Sequence, residues 1–255
     1  GQTGIEMSLA ARRMSVNLMV LAGAVILGWQ CLYWLIGDVA LRAPLTTLRF
    51  TAGFVTTDQF QTHLNETLKA FVLALSLAVM SGLLIGFVLG LHQFTRDVFE
   101  PMLIAVYSVP KITLYPILLL VFGLGLSAKV AFGALHGLIP VALFTLNAVR
   151  TVKPVYIKTA RVMGLSTWDA IRTVIFPSAL PEIFAGLRIG FSLTLIGTLL
   201  GEMFASQKGL GFLLMNAIGL HNVDVIVMLT FLLVGFAGLA GLGLMFIHRT
   251  FMTQG

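Results

Sequence analysis

Residues 153–188 read KPVYIKTARVMGLSTWDAIRTVIFPSALPEIFAGLR, and their reading decides the fold. They form a polar island between two long apolar segments. The island carries Lys153, Lys158, Arg161, Asp169, Arg172, Glu182 and Arg188 in a chain that is only 10% charged. The spacing predicts a short helix over about Val155 to Met163, stopped by Gly164 at the C′ position, where a sharp reversal needs a positive φ. Ser166 or Thr167 then caps a second short helix that begins at Trp168. Pro177 and Pro181 close the island, and Pro181 suits the first turn of the next helix.

Outside the island the composition is that of a membrane protein. The 255 residues are 58% hydrophobic, with 26 Gly and a mean hydropathy of +0.99. A soluble domain carries about a quarter charged residues. This chain cannot cover its surface with polar groups, so it belongs in lipid, as a single domain over residues 1–255. The net charge of +6 would suit a nucleic acid or a membrane surface, but its placement along the chain follows topology, and no nucleic-acid partner is expected. Cys31 stands alone in the first apolar segment and reads as a small buried hydrophobe.

Crossing the hydrocarbon takes about 20 helical residues. Six segments qualify, giving an all-α chain with spans at about 16–36, 67–91, 102–122, 129–149, 183–204 and 224–247 and a polar loop at 153–182. No small-x-small cleavage site follows the first, so it reads as an uncleaved span with Trp29, Tyr33 and Trp34 as an interfacial belt. Residues 37–66 read as an outer loop holding a short amphipathic helix from Leu45 to Phe54. His63 in that loop reads as an interfacial structural residue ahead of a ligand. In the second span Gly82, Gly86 and Gly90 share one face, where a neighbouring backbone can approach. His92, Arg96, Asp97 and Glu100 read as a short turn on the cell-interior side. Pro110 and Pro116 should kink the third span or open it locally. Lys111 lies inside that span, at a cost of about 2.5–3.5 kcal/mol on insertion scales, so it should face protein or water. It either lines a pathway and attracts an anion, or bonds carbonyls freed by the prolines. Pro140 should bend the fourth span, and Glu202 sits near the outer end of the fifth. Residues 205–222 read as a short outer helix or re-entrant element, and the Gly-rich sixth span should favour close helix contacts.

The polar island resembles the coupling loop of ABC-importer permeases. That family's pattern is Glu-Ala-Ala, three residues, Gly, nine residues, Ile-x-Leu-Pro. The matching positions here are Lys158, Thr159, Ala160, Gly164, Val174, Phe176 and Pro177, with Leu165-Ser166 after the glycine. The spacing is complete; the identities depart at Lys158, Thr159 and Phe176. Lys158 reverses the charge of the family's Glu without disturbing the helix–Gly–helix shape. Two further segments resemble the subfamily serving nitrate, sulfonate, taurine, bicarbonate and pyrimidine-precursor importers. They are Pro110-Lys111, Pro116 and Phe122-Gly123-Leu124-Gly125, and Gly201-Glu202 followed by Gly209-Leu210-Gly211.

The resemblance implies a type I permease in a bacterial inner membrane, surrounded by lipid. It implies two copies, a homodimer ahead of a heterodimer, with two ATPase subunits and an extracytoplasmic binding protein. ATP and magnesium would be held by the ATPases, and this chain would carry no cofactor, metal or catalytic residue. Lys158, Thr159, Ala160, Arg161, Gly164, Leu165, Ser166, Trp168 and Pro177 would couple it to the ATPase; Trp168 would touch the ATPase surface or cover the loop's own apolar side. Lys111, Tyr115 and Glu202 would lie on the substrate pathway. The substrate class implied is a small organic or inorganic anion, with pyrimidine or flavin-type vitamins as the alternative. With the loop inside the cell, Lys111 set aside within its span, ten of the Lys and Arg residues fall inside against five outside, and both termini lie inside.

Other functions lack their residues. The chain has no phosphate-cradling Gly-x4-Gly-Lys-Ser/Thr, no His-Glu-x2-His and no Gly-x-Ser-x-Gly. A membrane enzyme would need acids or histidines gathered at one depth. A self-sufficient carrier would show an internal repeat, and none is visible.

Overall fold

The computed structural model describes residues 2–252, and all regular structure among them is helical. In order these are α1 (Gln2–Ile36), α2 (Pro44–Phe54), α3 (Asp58–Leu91), α4 (Gln93–Ser108), a 3-10 turn (Lys111–Leu114), α5 (Tyr115–Phe122), α6 (Leu126–Arg150), α7 (Pro154–Val162), α8 (Thr167–Ala170), a π turn (Ile171–Ile175), α9 (Phe176–Ala205), α10 (Leu210–Gly219) and α11 (Val223–Met252). Five stretches are long and apolar enough to cross a membrane, and α4 with α5, bent by 86°, makes a sixth. The side chains of Arg12, Arg13 and Arg249, counted for topology above, lie outside what the structure describes.

The third span opens locally, as its prolines imply: Pro110 holds Val109 in extended backbone (ψ 132°) and ends α4. Two expectations need correction. Residues 93–100 are not a free turn. Nothing in Gln93–Glu100 breaks a helix, so they form the first turns of α4, and Arg150 at the end of α6 donates to Glu100 at 2.8 Å. Pro177, not Pro181, occupies the first turn of α9; the π turn runs straight into that helix and Pro181 lies within it.

The chain divides into two compact units. In Gly1–Thr57 with Asn216–Leu232, Arg42 grips Asp224 through Nε (2.6 Å) and Nη2 (3.1 Å), a bidentate pair. Trp29 donates to the Arg42 carbonyl at 2.9 Å, fixing the chain just ahead of α2.

In Asp58–Met215 with Leu233–Gly255, α6 is the central helix. A Cβ added to Gly82, Gly86 or Gly90 of α3 would meet Val141, Thr145 or Val149 of α6. Both series ascend together, so α3 and α6 run parallel. On its other side Gly133 and Gly137 of α6 face Thr198 and Thr194 of α9, and Gly186 of α9 faces Phe144 of α6, so that pair is antiparallel. Ala74, Ala78 and Ala134 extend the seam. Lipid offers helices no hydrophobic drive to associate, so packing must come from close backbone approach over small residues. The Gly-rich stretch of α11 behaves otherwise. Gly235, Gly238, Gly241 and Gly243 have open space where a Cβ would stand, so the close contacts expected there are not made among the described residues.

A Cβ at Gly86 would lie 2.5 Å from Thr145 Cβ and 2.6 Å from the Ala142 carbonyl, and backbone cannot step aside cheaply. Gly86→Ala should therefore destabilise the purified protein by about 1–3 kcal/mol in detergent melts. Gly235→Ala, with open space around it, should leave the melt unchanged or raise it slightly.

Candidate functional site

Two features stand at opposite ends of the α3–α6–α9 bundle. One is the bend between α7 and α8. Pro154 opens α7, and its C-terminus closes in a complete Schellman motif. The Gly164 amide donates to the Arg161 carbonyl (3.0 Å) and the Leu165 amide to the Ala160 carbonyl (3.1 Å). Gly164 sits at φ +71° with open space around its Cα, so glycine is needed for its backbone angle and not for room. Ser166 caps α8: its Oγ accepts from the Asp169 amide (3.2 Å) and donates to the Asp169 carboxylate (2.6 Å). Ala160 is buried and Thr159 bonds back to the Val155 carbonyl. Lys158 and Arg161 are exposed and, among the described residues, have no carboxylate partner. Val162, Met163 and Trp168 are 88%, 70% and 69% exposed, an apolar tip on a basic stem. Pro177 lies beyond the π turn, where α9 begins.

The other feature is a polar cluster at the start of α3 and α6 and the end of α9. Glu202 is wholly buried and Lys129 is 1% exposed. Thr67 donates to Glu202 at 2.8 Å, and the Gly211 amide donates to the same oxygen at 3.0 Å. Thr67 also accepts from the Leu210 amide (2.8 Å), and His63 Nδ1 accepts from the Gly209 amide (3.0 Å). Lys129 donates to the Lys208 carbonyl at 2.9 Å and lies 3.4 Å from Glu66 and 4.0 Å from Glu202. The Gly-Leu-Gly segment is thus laid over a buried carboxylate. A Cβ at Gly209 would collide with the Glu202 carboxylate, and one at Gly211 with the Leu199 carbonyl. Its three amides serve three side-chain acceptors. Beside the cluster, an open cavity of about 420 Å³ is lined by Glu66, Lys129, Ser206 and Lys208 among others.

The three residues expected on a pathway fall in different places. Tyr115 is buried, donating to the Gly201 carbonyl at 2.6 Å with its ring 4.6 Å from Phe132. Glu202 belongs to the buried cluster. Lys111 donates to the Tyr107 carbonyl (3.1 Å), one freed by the break at Pro110, and lies 4.8 Å above the Tyr107 ring. Sequence reasoning missed Lys129 and Thr67, the first counted only as a charge and the second only as a span boundary. A Lys and a Glu each within an apolar run, with no partner nearby in sequence, were the available signal.

The fold is an all-α integral membrane fold of the type I ABC-importer permease class. A chain of the MetNI methionine ABC transporter in an inward-facing conformation superposes with a TM-score of 0.66 at 20% identity, over 77% of this chain and 99% of that one. The family model described as the binding-protein-dependent transport system inner membrane component matches residues 78–252, and the chain belongs to that family. It is similar to the taurine transport system permease protein of Escherichia coli K12, 30% identical over 88% of this chain and 86% of that protein. It is also similar to the putative aliphatic sulfonates transport permease protein of Bacillus subtilis 168, 27% identical over 78% and 73%. The riboflavin transport system permease protein of Chloroflexus aurantiacus is 34% identical over 52% and 50%.

Breaking a buried ion pair from one side costs about 3–5 kcal/mol, whereas replacing both charges costs far less. Lys129→Met should lower stability by about that amount in detergent melts, and Lys129→Met with Glu202→Gln should recover much of it. Additive losses would show that the two charges do not depend on each other.

Proposed function

We propose that this permease moves a small sulfonate-type anion inward, and that the bend at Gly164 is where ATP-driven motion enters the chain. The observation that carries the second half is the exposed tip of Val162, Met163 and Trp168 on a stem bearing unpaired Lys158 and Arg161. Helices α7 and α8 have nine and four residues, too short to cross a bilayer. Their tip suits a groove on a separate ATPase, since the chain itself has no phosphate-binding loop. The Schellman closure and the Ser166 cap make the bend a rigid unit, and Leu165, Thr159 and Ala160 set its shape.

In this reading two copies of the chain, two ATPases holding ATP and magnesium, and an external binding protein form the importer. The bend and both termini lie inside the cell. The ATPases close on ATP and move the seated bend. That motion passes through the π turn and Pro177 into α9, about 45 Å long, whose far end carries Glu202. ATP acts only through its different affinity for the open and closed ATPase pair. The substrate class rests on the relatives: the taurine and sulfonate permeases match over most of their length, the riboflavin permease over half.

Trp168→Ala should weaken co-purification with the ATPase by about 2 kcal/mol or more, roughly thirtyfold. Gly164→Val should leave a complex that hydrolyses ATP but takes up little substrate, measured as uptake per ATP in proteoliposomes. Wild-type coupling by both variants would refute the role of the bend.

A further inference from the structure

A second polar feature lies within the span formed by α9 and is not part of the buried cluster. Arg188 and Ser192 are one turn apart on α9 and both are exposed. With Tyr107 of α4, Ile189, Leu193 and Gly241 they line an open recess of about 390 Å³. No carboxylate lines it, and among the described residues Arg188 has no ion-pair partner. The Tyr107 ring on its wall carries the Lys111 ammonium 4.8 Å from the ring centroid. Arg188, Tyr107 and Ser192 therefore line the recess with no acid among them, and a second cation stands against Tyr107.

Depth makes this arrangement unusual. Helix α9 has 30 residues and is about 45 Å long, and Arg188 stands about 18 Å from its start. A hydrocarbon layer of about 30 Å, laid anywhere along an upright α9, includes Arg188. An unpaired guanidinium there is costly against lipid tails, so the recess must face water, protein or an anion. Guanidinium recognises planar or tetrahedral oxyanions through paired, charge-assisted hydrogen bonds; Tyr107 adds a neutral hydroxyl-bearing side chain beside it, and Ser192, whose hydroxyl donates to the Arg188 carbonyl at 3.3 Å, adds a small polar one.

We propose that the recess of Tyr107, Arg188 and Ser192, with Lys111 at its Tyr107 wall, is a transit site that binds a small organic oxyanion as it crosses the permease. This deepens the sulfonate reading above and rests on it for the substrate class. The helix break at Pro110 lies beside the recess: it ends α4 just past Tyr107 and leaves the carbonyl that holds Lys111. The lipid phosphate group offers the same chemistry, so the test must separate a dissolved anion from a headgroup.

The test uses the complete importer, with its ATPase and binding protein, in vesicles of phosphatidylcholine alone and of phosphatidylcholine with phosphatidylglycerol. Labelled taurine is the probe. Arg188→Gln should lower uptake about tenfold or more, the loss of one charge-assisted contact, while ATP hydrolysis stimulated by the substrate-free binding protein stays at the wild-type rate. Arg188→Lys should restore part of the uptake. Ser192→Leu fills the open recess from an exposed position and should lower uptake in an assembled complex, which covers the case of an Arg188 variant that does not assemble. Wild-type uptake by either Arg188→Gln or Ser192→Leu would overturn the proposal. An Arg188→Gln defect present only with phosphatidylglycerol would assign the site to the lipid and also overturn it. No taurine uptake by the wild type refutes the sulfonate reading alone. The variant ratio is then measured with the solute that the binding protein delivers: an anion losing tenfold upholds the recess, and an unchanged ratio removes it.

Discussion

Everything in the larger unit depends on how closely α6 can approach its two neighbours. Lipid tails are as apolar as leucine, so burying leucine between helices gains little. What remains is dispersion between surfaces that meet without gaps, and that requires missing side chains. Gly82, Gly86 and Gly90 let α3 lie against Val141, Thr145 and Val149, and Gly133 and Gly137 let α9 lie against the opposite side. The four-residue spacing sets the register as well as the distance. Parallel α3 and α6 with an antiparallel α9 then follow, and so does the placement of the buried polar cluster and the exposed bend at opposite ends.

At one end the register brings Thr67, Lys129 and Glu202 together from three helices, although they are 62 or more residues apart in sequence. Buried charges at that point need each other and need donors: the Gly211 amide donates to Glu202, while those of Gly209 and Leu210 donate to His63 and Thr67 beside it. The loop after α9 is thereby held down on the bundle. At the other end a nine-residue helix, a left-handed glycine and a capped four-residue helix project an apolar tip that stays exposed among the described residues. The single rod α9 joins the two, which is the arrangement a transported motion needs.

The span between them is the broken one. Pro110 ends α4, the chain bends by 86°, and a carbonyl and a cation are left facing each other within the apolar layer. Broken helices at membrane depth persist where they line a cavity or lie against protein. Tyr107, two residues before the break, lines a recess together with Arg188 and Ser192.

The local pieces were legible in the sequence because local chemistry makes them. Hydropathy over about 20 residues marks a span, a positive-φ glycine marks the bend, and Ser166 three residues ahead of Asp169 marks a cap. The short helix after Pro44 and the element at 210–219 were visible for the same reason. The helix starts at Gln93 and Phe176 were not, because charged and proline-bearing first turns look like loop until the rest of the helix is seen. Sequence alone determined a helical permease of six candidate spans with a basic bend between the fourth and the fifth. Only the tertiary structure decided that Lys129 stands between Glu66 and Glu202, that Tyr115 is buried against Gly201, that an added Cβ at Gly235, Gly238, Gly241 or Gly243 of α11 would have open space among the described residues, and that Arg188 opens into a recess. Each of those depends on which helix faces land together, and that is set by contacts between residues far apart along the chain.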